Sequence, residues 1–451
     1  MKPRILLVNP PIYDFTAYDF WLKPYGMIRA AGLLRGRADF RLFDFMDPFD
    51  VRVPAGHYRR DAWGRGEFCS QIVAKPAVYE NVPRHYRRFG LPREEFQKFL
   101  AREGRFEYAL VQTVMTYWYP GVGEVIEDLR HFAPESKIIL GGVYATVCSS
   151  HAQTLEPDFI VEGLDLQPLW SYLRMAPGER ALPLWDLYPQ LPAGVLKITD
   201  GCPFRCTYCT VPQVYPRFSA RPIEQSLREF DFLVQRGAAD IAFYDDALLY
   251  RPEQIFVPFL RQLVTRDTGV RLHTPNALNA RFLTPEIARL MVRAGFTTVF
   301  LGFESSSYAW QKKTGGKVCS DELARAVDYF TSAGMETRHI HAYLIVGHPL
   351  AREQECEESM RWASRLGIRI VLSEFAPVPG TPDGEMCRLK IDLDEPLYHN
   401  KTAFTILSLG AAETQRLKNL ARDLNRKTDP EVPRSKKESP EHRVLSSEPV
   451  A

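Results

Sequence analysis

The sequence predicts an α/β protein: a parallel, doubly wound sheet followed by an open, partial (βα)6 barrel. Three observations carry that reading. Short apolar runs alternate with helical patterns, the wiring of parallel sheets. Several runs are apolar at consecutive positions, as in strands covered on both faces. From residue 195 onward, helices open on Pro, Ser or Thr and are followed by Gly, the expected asymmetry of helix ends.

The chain has 451 residues, room for two domains and a tail. Apolar residues make up 45% and charged residues 25%, as in ordinary globular proteins. A net charge of +2 gives no field that would draw nucleic acid. No run of eighteen apolar residues predicts a membrane span. The apolar run Ile5–Val8 is too short for an export signal. The expected compartment is the cytoplasm, where eight cysteines point to metal ligation before disulfides.

In chain order, residues 1–175 form the first predicted domain. Its candidate strands are Ile5–Val8, Phe40–Phe45, Glu107–Gln112, Lys137–Leu140 and Asp158–Val161, with a helix over Gly121–Phe132. The doubly wound pattern is Rossmann-like, and ligands of such sheets sit at the carboxyl ends of the strands. Residues 48–105 read as an irregular insertion rich in Arg and aromatics. Its four arginines from Arg84 to Arg93 suit either an anion or a solvated surface. Residues 176–193, with four prolines, read as a linker.

Residues 194–390 hold six predicted strands: Val195–Thr199, Asp240–Tyr244, Val270–His273, Thr298–Leu301, Ile340–Val346 and Arg369–Ser373. Five helices intervene, the first opening at Pro222 with Ile223, Leu227, Phe230 and Val234 on one stripe. This is a partial TIM-type barrel, whose sites belong at the carboxyl ends of its strands. Residues 391–426 form an extension with a helix to about Asn425. From Lys427 to Ala451 the polar, proline-rich composition predicts disorder.

The first barrel strand runs into Cys202-Pro203-Phe204-Arg205-Cys206-Thr207-Tyr208-Cys209. Three soft thiolates at C-x3-C-x2-C suit zinc or an iron–sulfur cluster, one ligand short of a closed site. A zinc knuckle would need a fourth ligand, and no Cys or His follows before His273. With its aromatic before the last Cys, the loop resembles the signature of the radical SAM superfamily. The resemblance implies a 4Fe–4S cluster on Cys202, Cys206 and Cys209, with one iron left for S-adenosylmethionine. It implies reductive cleavage to a 5′-deoxyadenosyl radical, with the electron drawn from a flavodoxin or ferredoxin. It places Tyr208 against the adenine, or, on the residues alone, as a loop anchor. It further implies S-adenosylmethionine contacts from strand-end residues Asp245, Asp246, Asn276, Glu304 and Gly347.

Asn9-Pro10-Pro11, Thr113-Val114-Met115-Thr116 and Gly141-Gly142 resemble the cobalamin-binding domain fused to many members of that superfamily. The resemblance implies cobalamin near Thr113, Thr116, Gly141 and Gly142. The D-x-H-x-x-G loop of other cobalamin proteins is missing, so a Rossmann-like docking surface stays open as the alternative. The expected activity is radical SAM chemistry, with methylation of an unactivated carbon if cobalamin is bound. The alternatives are cobalamin-independent rearrangement, oxidation or sulfur insertion, and a non-catalytic iron–sulfur protein. No all-β RNA-binding module follows the barrel, and the first domain lacks a second cysteine triad. Both lower the expectation of a tRNA methylthiotransferase. The residues name no substrate.

Overall fold

The computed structural model describes residues 2–54, 58–179 and 181–428. Two parallel sheets organise it. The first sheet contains β1 (Arg4–Asn9), β2 (Asp39–Asp44), β3 (Tyr108–Thr113), β4 (Lys137–Gly142) and β5 (Phe159–Val161). Its order is β5-β4-β3-β1-β2, with every pair parallel. In β1, Ile5, Leu6, Leu7 and Val8 are fully buried, because helices cover both faces of a doubly wound sheet. The order reverses between β1 and β3, so a crevice opens there at the carboxyl edge.

The second sheet contains β6 (Ala193–Leu196), β7 (Asp240–Phe243), β8 (Arg271–Leu278), β9 (Phe296–Glu304), β10 (Ile340–Val346) and β11 (Arg369–Glu374). These six pair in sequence order, all parallel, as an open barrel requires. Strand β8 is longer than predicted. His273 therefore lies inside the strand rather than at its end.

Two expectations about connecting segments need correction. Residues 176–193 are not a free linker. Trp185 is fully buried and its Nε1 donates to Glu229, while the Tyr188 hydroxyl donates to Asp44. This segment carries the large apolar side chains that fill the seam between the sheets. The insertion also ends earlier than expected, since Arg93–Glu103 is a helix ending at Gly104, φ 75°. Two of its arginines are already paired: Arg88 with Glu124 at 2.6 Å, and Arg93 with Glu127 and Asp128 at 2.8 Å. That leaves these two guanidinia with little to offer an external anion.

The start of the chain and its insertion close the amino end of the barrel. Trp21 stacks on His273 with ring centroids 4.1 Å apart, and its Nε1 donates to the Trp63 carbonyl. His273 is held on its other edge by Asp240 at 3.0 Å and Thr298 at 2.8 Å. The Arg65 guanidinium lies over the rings of Trp63, Phe20 and Trp21. Trp21 adopts a left-handed φ of 61°, a strain held by this packing.

The extension ties the two units together. His399 is fully buried, with Nδ1 bonded to Thr116 Oγ1 and Nε2 to the Leu393 carbonyl. Asn400 donates to Asp14, and Tyr79 donates to the Leu397 carbonyl. The helix Ala411–Thr428 then packs on edge strand β11. There the Asn425 side chain accepts from Ile370 N–H at 2.7 Å and donates to its carbonyl at 2.8 Å. One amide thus occupies the place of a neighbouring strand and caps the open edge. The predicted disordered tail falls, beyond Thr428, outside the described residues; Lys427 itself is helical.

Candidate active site

The cysteine loop leaves the barrel at a small clamp. Thr199-Asp200 pairs antiparallel with Ser219-Ala220, so the intervening residues leave and return at one point. Gly201 takes φ 78° where a Cβ would meet the Arg217 carbonyl at 2.7 Å. Cys202, Cys206 and Cys209 are free thiols, each half-buried. Burial raises the pKa of all three, that of Cys209 to about 12. A thiolate at Cys206 would make ionisation at Cys202 and Cys209 harder still. Such a trio ionises together only around a strongly cationic centre.

Among the described residues, no group of three or more His, Cys, Asp or Glu converges on a single metal ion. Ligands of a cube bind separate irons and need no such convergence. Three soft donors on one loop, without a fourth, suit a cluster with one open iron better than a closed zinc site.

Lys317 stands beside the thiols. Burial works against its charge, but Glu304 and thiolates at Cys206 and Cys209 outweigh it and raise its pKa. Its Nζ lies 2.9 Å from Glu304 Oε1. Glu304 ends β9 with a left-handed φ of 67°, just after a register shift against β10. A side chain at Gly302 would collide with Lys317, so the glycine makes room for the lysine. Sequence reasoning found Glu304 and missed Lys317.

Asp245, after β7, is buried. Its Oδ1 accepts from Ile198 N–H, Thr199 N–H and the Thr199 hydroxyl, while Oδ2 has no partner. Burial pushes its pKa up to about 6, against the pull of those hydrogen bonds. Asp246 accepts from Lys197 at 3.3 Å. Asn276 donates to the Tyr244 carbonyl at 3.0 Å. Tyr208 stacks against Trp310, whose Nε1 donates to His348 Nδ1; His348 Nε2 meets Asp383 at 2.8 Å. Trp310 and Asp383 in this chain had no signal in the sequence. Gly347, φ 78°, is required by Thr405, which a Cβ would meet at 2.6 Å. The cysteines, Tyr208, Asp246, Glu304 and Lys317 thus share one site. Asn276 and Gly347 are held by neighbouring backbone and helix.

At the crevice of the first sheet a pocket opens, lined by Asn9, Pro10, Pro11, Gln112, Met115 and Trp118 among others. Two of the four residues read there from sequence have internal partners. Thr113 Oγ1 donates to the Gly141 carbonyl and accepts from Ala145 N–H, and Thr116 binds His399. Gly142, φ 119°, is needed because a Cβ would collide with the Thr113 backbone. Close strand packing, rather than ligand approach, accounts for that glycine.

Residues 196–363 match the Radical SAM superfamily. The barrel is therefore a radical SAM domain; members of that superfamily use a 4Fe–4S cluster and S-adenosylmethionine. The chain is 25% identical over 213 residues to an uncharacterized methyltransferase of Pyrococcus horikoshii, covering 45% of either chain. It is 23% identical to the threonylcarbamoyladenosine tRNA methylthiotransferase MtaB of Thermotoga maritima, over 59% of this chain and 65% of that one. The match thus spans from under half to just under two thirds of these relatives. In fold it is similar to the radical S-adenosylmethionine methyltransferase TsrM of Kitasatospora setae. The TM-score is 0.63 at 15% identity, over 86% of this chain and 76% of that one. That likeness covers both sheets. No helix among the described residues is long and apolar enough to cross a membrane.

Proposed function

We propose that the protein is a cobalamin-dependent radical SAM methyltransferase acting on an unactivated carbon. The observation that carries this reading is the pocket at the β1/β3 crevice, a second ligand position on the same chain as the cysteine loop. TsrM, similar in fold, has been solved with cobalamin and a [4Fe-4S] cluster bound. The pocket walls are apolar and proline-rich with two amides and no charged side chain, which suits the edge of a large, mostly apolar ring.

When bound, the cluster and S-adenosylmethionine would supply hydrogen-atom abstraction, and cobalamin a methyl group. Cys202, Cys206 and Cys209 would hold the cluster. The unpartnered Asp245 Oδ2 is an acceptor for an ammonium, and Lys317, held by Glu304, a donor to a carboxylate. Asp246, Asn276 and Gly347 stand at neighbouring strand ends, and the Tyr208–Trp310 stack would wall the site from water. Phe20, Trp21 and Trp63 would keep water from the other mouth of the barrel.

A second reading, radical chemistry without cobalamin, is supported by Thr113 and Thr116, whose hydroxyls already have protein partners. The two separate on anaerobically purified protein given S-adenosylmethionine and a reductant. Cobalamin absorbance that stays with the chain through gel filtration supports the first. Release of 5′-deoxyadenosine by protein that retains no cobalamin overturns it in favour of the second.

A further inference from the structure

The cysteine loop has one thinly covered flank. Gly315 and Gly316 follow the helix Tyr308–Thr314 with φ of 116° and 62°. A Cβ at Gly315 would lie 3.1 Å from the Cys206 Cα and 3.5 Å from the Arg205 carbonyl. The Thr314 carbonyl accepts from Thr207 N–H at 3.2 Å, which fixes this turn against the loop. Gly315 is exposed. At Gly315 the cover over Cys206 is therefore exposed backbone with no side chain of its own.

Cations surround that window. Arg205, Lys312 and Lys313 are exposed, and no ion pair among the described residues involves them. Lys312 and Lys313 occupy the last turn of their helix, where its carbonyl end favours positive charge. That accounts for their place on the helix, but not for Arg205 standing beside them on a different segment. Exposed apolar side chains stand on the neighbouring segments. Tyr308 is 70% exposed on the same helix, and Leu389 is 96% exposed. Leu389 follows the short helix Pro382–Glu385, which is fastened to the loop through Thr207 and Asp383. Exposed aromatic and aliphatic groups amid unpaired cations are the composition of a transient protein interface.

We infer that the Gly315-Gly316 window is where the cluster receives its electron, and that its rim docks an acidic one-electron carrier protein. The inference rests on the radical SAM reading of the cysteine loop. The balance is simple: the reduced carrier loses one electron, the cluster gains it, and no bond or proton moves. Proximity matters because the Gly315 backbone, bare of a side chain, lies against the Cys206 Cα. Charge matters because complementary fields speed encounter and set orientation more than they add affinity.

The test uses the full chain with its reconstituted cluster, and oxidised and reduced flavodoxin as probes. The variants are Lys312→Glu with Lys313→Glu, and separately Arg205→Glu. Iron content and near-UV circular dichroism equal to wild type show that the variants are folded and loaded. Flavodoxin affinity at low salt should fall at least about tenfold in the double variant, and cluster bleaching by reduced flavodoxin should slow by a similar factor. Bleaching by dithionite should be unchanged. Added salt should weaken flavodoxin binding in the wild type and do little in the variant. Equal binding and equal flavodoxin-driven reduction in both proteins overturn the inference alone. So does a variant that loses affinity for bulk tRNA while flavodoxin binding is untouched. A wild-type chain that assembles no cluster overturns the underlying reading as well.

Discussion

Two single residues bear charge states that the fold itself has set. Lys317 and Glu304 are a mostly buried pair, with side chains 22% and 7% exposed. Lys317→Met leaves the carboxylate of Glu304 without its cation, and breaking such a pair is costly where removing both partners is mild. The expected loss is about 2 kcal/mol in urea denaturation. The Lys317→Met, Glu304→Gln double variant should recover most of it while still binding S-adenosylmethionine poorly. His399 is the second case. Burial lowers its pKa to about 4, from an ordinary value of about 6.5. Between those values the unfolded chain binds the proton and the folded chain does not, so stability falls as pH drops through that window. Above about pH 6.5 the contribution is complete; at the acid end about 3 kcal/mol is gone. A His399→Gln variant should show a flatter stability profile from pH 6.5 to 4, measured by denaturant midpoint.

At the scale of elements, the extension works as a strap, and Asn425 is its clasp on β11. Asn425→Ala strands the Ile370 N–H and carbonyl at a sheet edge, at an expected cost of about 2 kcal/mol. Asn425→Asp should rescue only the bond to the N–H. A local pairing of this kind cannot be read from sequence, because nothing near Asn425 names strand β11 as its partner. The strands themselves are legible: Ile5–Val8 and Ile340–Val346 are apolar runs that only a covered sheet would bury. The cysteine loop is legible for a different reason. Its spacing is local, and thiolate chemistry narrows what three such ligands can do. Lys317 is one lysine among many until β9 turns at Glu304 and brings it to the thiols. Residues 176–193 mislead because their four prolines suggest a linker, whereas Trp185, Tyr188 and Leu191 decide the packing.

Across the whole molecule, the first unit does more than carry a ligand crevice. Its Trp21, Trp63 and Arg65 stop the amino end of the barrel, and its Thr116 and Asp14 anchor the extension. Substrate would then approach the barrel from its carboxyl end, where the cysteine loop lies. All of this depends on three thiols holding an iron–sulfur cube with one iron open. The most direct measurement is anaerobic reconstitution followed by an iron and sulfide count on wild type and on Cys206→Ala, with 5′-deoxyadenosine measured alongside. The expected result is about four irons per wild-type chain, release of 5′-deoxyadenosine under dithionite, and loss of both in the variant. A single zinc or iron per chain, or a cluster that survives the loss of Cys206, would contradict it.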